Sequence, residues 1–184
     1  MTDERIAGRT GLLISTYKPF VWYKPHRWLS AAIRKFTGSK WGHSAALIEL
    51  WGEWYVIEYD PNPKITAWEQ WRNTDKVIQV AELKYLYNEK MWANIALSKQ
   101  DATKYDYASL FIYQPIYQIT GQWVGRKNKE GDSRFYCSEY IAWVWNKQLV
   151  NLFPKWWQTS PADLVNSDIF QPLYEGMANQ LSIV

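Results

Sequence analysis

The chain has 184 residues, with 21 Lys+Arg against 18 Asp+Glu and a formal charge of +3. That length fits a single domain over 1–184, and 47% apolar against 21% charged residues excludes a disordered chain. The lone cysteine, Cys137, excludes an intramolecular disulfide, and with only His26 and His43 beside it no closed zinc site of soft ligands can form.

In chain order, Thr10–Thr16 reads as a short apolar strand, and the aromatic stretch Tyr17–His26, with Pro19 and Pro25, as irregular. Trp28, Leu29, Ile33 and Phe36 have helical spacing, and Thr37-Gly38-Ser39 ends that helix. His43–Leu50 and Trp54–Asp60 read as a hairpin turning at Trp51-Gly52-Glu53, with Pro61 and Pro63 closing the second strand. Lys76–Glu82 is a third β-rich run. Asn88–Lys99 and Ala108–Ile119 read as helices separated by Thr103–Asp106. Cys137–Leu149 reads as a buried helix, and Ser160-Pro161-Ala162-Asp163 as a helix start with a cap, Pro at N1 and an acid in the first turn. The sum is α+β, with the sheet drawn mainly from the first half.

The same residues bound the function. None of the nine glycines lies in a phosphate-cradling G-x-x-x-x-G-K-[ST] or G-x-G-x-x-G pattern, so no nucleotide cofactor is expected. A charge of +3 does not argue for nucleic acid. No apolar run approaches the ~20 residues of a membrane span. Met1–Arg5 carries acids and no apolar core, so no secretory signal is expected and the chain is read as cytoplasmic at synthesis.

Chemistry rests on few groups. Cys137 has two readings: a small buried hydrophobe, or a nucleophile. It opens a helix, where unpaired N–H groups and the positive end of the dipole stabilise a thiolate. His43 opens a strand behind Gly42 and is the candidate base; His26 reads as a surface residue. If Glu49 and Trp54 flank the hairpin turn, Glu58 falls opposite Ala45, a diagonal neighbour of His43 at about 7–8 Å between backbones. Asp60 then lies directly opposite His43, and it stays as the alternative orienter.

Several segments in order carry a resemblance: L-S-A-A-I-R-K-F-T-G-S-K-W-G-H over Leu29–His43, Y-V-I-E over Tyr55–Glu58, K-Y-D-Y over Lys104–Tyr107, Y-C-S-E-Y over Tyr136–Tyr140 and S-P-A-D-L over Ser160–Leu164. With His first and Cys last, the chain resembles the circularly permuted papain-like cysteine hydrolases of the NlpC superfamily, the YiiX-like group in particular. The resemblance implies an antiparallel sheet packed on helices, one of them starting at the nucleophilic Cys137. It implies His43 as base, Glu58 as third member and no metal or other cofactor. Tyr105 matches a recurring aromatic beside the site, and Tyr136 directly precedes the nucleophile. Trp41, two residues before His43, is a candidate groove wall, with Tyr105 and Tyr136 as further substrate contacts.

The expected reaction is cleavage of an amide or peptide bond, with cell-wall peptide one substrate. Such a substrate would require release by lysis, a non-classical route or a phage particle. Two alternatives stand beside it: a lipid acyltransferase or thioesterase on the same scaffold, and a non-catalytic module binding glycan or nucleic acid through its many aromatic rings.

Overall fold

The computed structural model describes residues 4–6, 12–17, 26–60, 62–74, 76–99, 104–127, 134–149 and 152–183. The elements begin with β1 (Glu4–Ile6), β2 (Leu12–Tyr17), α1 (His26–Thr37), β3 (His43–Leu50), β4 (Glu53–Tyr59) and β5 (Pro63–Ala67). There follow α2 (Trp68–Trp71), β6 (Val77–Leu83), α3 (Glu89–Leu97), β7 (Lys104–Tyr105), a π-helical turn (Ser109–Tyr113) and α4 (Gln114–Thr120). The C-terminal part holds β8 (Arg134–Phe135), α5 (Cys137–Gln148), α6 (Pro161–Val165), β9 (Phe170–Met177) and β10 (Leu181–Ile183).

An antiparallel six-stranded sheet, ordered β5-β4-β3-β2-β6-β9, forms the centre. Alternation along the strands gives it two apolar faces. Ala46, Ile48 and Leu50 of β3 join Ile57 and Tyr59 of β4 under α3 and α5. Ala45, Leu47 and Val56 face the other way, onto Trp68 and Trp71 of α2. α5 is the deepest helix: every residue from Cys137 to Trp145 is buried, which a surface amphipathic helix would not allow. Trp145 packs edge-on to Tyr87 at 4.7 Å and against Trp92 at 5.3 Å.

Several elements follow from local chemistry. Trp51 and Gly52 both have positive φ, 56° and 83°, the signature of a two-residue hairpin turn that matches strand twist. Leu50 therefore faces Glu53, and the β3–β4 register is set from the turn outward. Ser160 accepts from the Asp163 N–H at 3.2 Å while the Asp163 carboxylate accepts from the Ser160 N–H at 2.7 Å, a reciprocal cap.

Other expectations need correction. The second hairpin strand ends at Tyr59, and Pro63 opens β5 instead of closing β4. β5 is an edge strand, where a missing N–H costs no ladder bond. β9, from the far end of the chain, supplies the opposite edge and no sequence signal announced it. Ala108–Ile119 is a π turn running into an α-helix, and Lys104-Tyr105 is a short strand parallel to Arg134-Phe135. His26 opens α1 instead of lying in a loop. Residues 18–25 and 128–133 lie outside the described residues. Among the described residues no helix is long and apolar enough to cross a membrane.

Trp51 carries a bulky side chain in a left-handed conformation, with 81% of its surface exposed. Trp51→Asn should raise stability by about 1 kcal/mol, since Asn accepts positive φ more readily. Urea unfolding measures this; an unchanged or lowered midpoint would contradict the turn geometry.

Candidate functional site

The site grows from the start of β3. Thr16 of β2 pairs across from His43, and the Gly42 N–H donates to the Thr16 carbonyl at 3.0 Å, so His43 is tied down from its first residue. On the other side Ala45 faces Glu58. His43 and Glu58 thus share one face as diagonal neighbours. Their side chains meet: the His43 Nε2 lies 2.9 Å from the Glu58 Oε2. The second carboxylate oxygen, Oε1, accepts from the Trp71 Nε1–H at 3.2 Å. Asp60 lies beyond the end of β4, exposed, with its N–H bonded to the Asn62 carbonyl. It does not reach His43, because the ladder stops before its position.

α5 packs on the opposite face of the sheet and brings its first residue to the sheet's end. There the Cys137 thiol lies beside the His43 imidazole and the N–H groups of Ser44 and Ser138, close enough for each to act on its ionisation. Glu58 occupies Nε2, so Nδ1 is the nitrogen left for the thiol. Ser138 is held in turn by its hydroxyl, which donates to the Thr159 carbonyl at 2.8 Å. Cys137 has no exposed surface, whereas the His43 side chain keeps 19%.

The three groups shift one another. For His43, burial works to lower the pKa, but the charge and hydrogen bond of Cys137, followed by Glu58, hold it up at about 10. For Cys137, burial pushes the thiol up; the His43 charge and hydrogen bond, then the Ser44 and Ser138 N–H groups, outweigh it and lower it. For Glu58, burial again raises, and His43, Lys76 and the Trp71 N–H bring it down to about 2. Together the shifts favour the thiolate–imidazolium form of the Cys137–His43 pair beside an ionised Glu58.

Tyr105 stands beside the same sulfur; burial and the charges of Cys137 and Asp60 push its phenol well above its ordinary range. Tyr136 and Trp41 sit differently from their expected place along a groove. Tyr136 has no exposed surface and its hydroxyl accepts from the Gln114 Nε2 at 2.8 Å. Trp41 is 2% exposed. Neither ring offers a face to a substrate in this arrangement. Trp71, Lys76 and the Ser44 and Ser138 amides escaped sequence reading: one Trp among 13 carries no mark of its partner, and a backbone amide carries none at all.

No family model and no curated protein matches the chain. Its fold is a mixed α+β fold of antiparallel sheet and helices. Among solved structures it is similar to the metalloprotein YiiX of Escherichia coli O157:H7, with TM-score 0.59 and 17% identity over 91% of this chain and 97% of that one. The chain has a YiiX-like fold.

The shifts fix the sign of the pH dependence. Glu58 contributes stability that is complete above its ordinary 4.5 and is lost as pH falls from there toward about 2. His43 contributes below its ordinary 6.5 and loses that contribution as pH rises toward about 10, while Cys137, lowered from 9.0, acts in the opposite sense below 9.0. Stability should therefore fall between pH 9.0 and about 10, where only the His43 contribution is still titrating. In urea titrations Glu58→Gln should flatten the acid limb between about pH 5 and 3 relative to the parent. Parallel acid limbs would mean that Glu58 is not held as a buried carboxylate.

Proposed function

We propose that the chain is a cysteine hydrolase of permuted papain-like type, cleaving an amide or peptide bond through an acyl-enzyme on Cys137. The observation that carries this reading is the grouping of Cys137, His43 and Glu58, with the carboxylate 2.9 Å from the His43 Nε2 and the thiol beside the same imidazole. A buried structural cysteine has no need of a histidine held by a buried carboxylate.

In this reading the Cys137 thiolate attacks the carbonyl carbon and the C=O electron pair moves onto oxygen. The carbonyl approaches past His43, whose side chain keeps 19% of its surface exposed. N–H groups at the start of α5 stabilise the oxyanion. His43 gives its proton to the leaving amine, and the C–N bond breaks. Water, deprotonated by His43, then attacks the thioester and frees the acid and the thiolate. Glu58 holds the imidazole in the tautomer and orientation that both steps require.

YiiX is described as a metalloprotein. The donors here do not fit a metal ion: both oxygens of Glu58 are taken, one by the His43 Nε2 and the other by the Trp71 Nε1–H. Among the described residues no group of three or more His, Cys, Asp or Glu is placed to hold an ion. No step is routed through a metal.

Cys137→Ala should lower turnover on a panel of chromogenic peptide, amide and ester substrates by about 10³-fold or more, with an unchanged circular dichroism spectrum. Iodoacetamide should alkylate the native thiol rapidly down to about pH 6, and His43→Ala should return the rate to that of an ordinary thiol. Full turnover in Cys137→Ala, or a thiol that reacts only on unfolding in both proteins, would contradict the proposal.

A further inference from the structure

One line of rings connects the sulfur to solvent. Tyr105, whose backbone pairs with Phe135 two residues before Cys137, packs on the ring of Tyr107 at 4.8 Å. Tyr107 stacks on Phe111 at 6.3 Å with only 8° between the ring planes. The series moves from half-buried Tyr105 to exposed rings, Tyr107 at 52% and Phe111 at 40%. Beside them Ile112 is 53% exposed. This departs from the rest of the described chain, which buries most of its large aromatic rings, and a contiguous exposed apolar patch marks an interaction site.

The backbone holds the rings in place. The Asp106 N–H donates to the Phe135 carbonyl at 2.8 Å, extending the β7–β8 pairing. The Asp106 carboxylate, itself buried, caps the following turn through the Ser109 N–H at 2.9 Å and the Ser109 hydroxyl at 2.7 Å. Tyr107 is thereby fixed between a strand and a cap. The turn that carries Phe111 and Ile112 is π-helical, a geometry that is costly in regular helices and concentrates at functional sites.

We infer that Tyr107 and Phe111 form the subsite for an apolar, preferably aromatic, side chain on the acyl side of the scissile amide bond. This rests on the hydrolase reading of Cys137. Two observations select the occupant. The leaving group must face His43 to take its proton, and His43 and Glu58 stand on β3 and β4. The ring series stands on β7 and the π turn and meets β4 through Tyr59, 5.8 Å from Tyr105, on the α5 face of the sheet and not the face that carries Glu58, where the acyl portion is left to lie. Its exposed ring faces favour stacked or edge-on aromatic partners.

The test is the inactivation rate of the full chain by N-acetyl-peptidyl chloromethyl ketones, in which the Cys137 thiolate displaces chloride and forms a C–S bond. Three probes are compared: one with a Phe side chain next to the ketone, one with Gly there, and a linear decanoyl chloromethyl ketone without a peptide. The Phe probe should react about 10-fold or more faster than the Gly probe, in the range a single apolar pocket can supply. Tyr107→Ala and Phe111→Ala should bring that ratio to within about 3-fold, with unchanged thermal unfolding, since both rings are exposed. A parent protein that reacts rapidly with iodoacetamide but treats Phe and Gly probes alike overturns the subsite and leaves the hydrolase reading intact. A clear preference for the decanoyl probe also overturns it, in favour of a lipid acyl chain. A thiol inert to iodoacetamide and to all three probes overturns both.

Discussion

A carboxylate and an imidazole 2.9 Å apart in a nearly closed site constrain much of what surrounds them. Neither tolerates burial alone: an unpaired charge taken out of water costs several kcal/mol. The pair is therefore viable only because each group has a further partner. Glu58 uses its second oxygen on Trp71, and His43 has the Cys137 thiol beside it. The thiolate in turn needs the Ser44 and Ser138 amides. Removing any one link leaves a charge without compensation, so the row behaves as a unit and pairwise energies will not add across it.

That requirement explains the architecture around the site. β3 must be central, so that β2 fixes one side of His43 and β4 presents Glu58 on the other. α2 must cross the same face to bring Trp71 over the carboxylate. α5 must lie on the other face and begin at Cys137, so that its first N–H groups lie near the sulfur. The large apolar burial of α5, from Cys137 through Trp145, supplies the stability against which a buried charged row can be held. Tyr105 joins last, through the short β7–β8 pair that leads directly into the cysteine.

Much of this was legible in the chain. The turn at Trp51-Gly52 sets the hairpin register, and period-two counting from it places Glu58 beside His43 and on the same face. The cap at Ser160 and the buried helix after Cys137 follow from local chemistry and apolar density. What escaped was non-local or unmarked. β9 reads F-Q-P-L-Y-E-G-M, a polar edge strand with no alternating signature. Pro63 reads as a stop, but at a sheet edge it is tolerated. Asp60 stood as the alternative to Glu58 because the end of β4 at Tyr59 depends on a bend that counting along a strand cannot supply. Trp41 and Tyr136 sit next to the key residues in sequence, yet chain proximity does not decide whether a ring faces a cleft or the core; here both are buried.

The central claim is the charge state of the row, and it can be read on the imidazole itself. With only two histidines in the chain, ¹⁵N NMR of the imidazole nitrogens resolves His43 from His26, and His43→Ala assigns it. The account predicts that both His43 nitrogens keep the chemical shifts of a protonated imidazolium from pH 7 to 9, as a pKa near 10 requires. It also predicts that this signature is lost in Cys137→Ala, where the thiolate that sustains it is gone. A His43 that titrates near its ordinary 6.5, with the same curve in both proteins, would contradict the account.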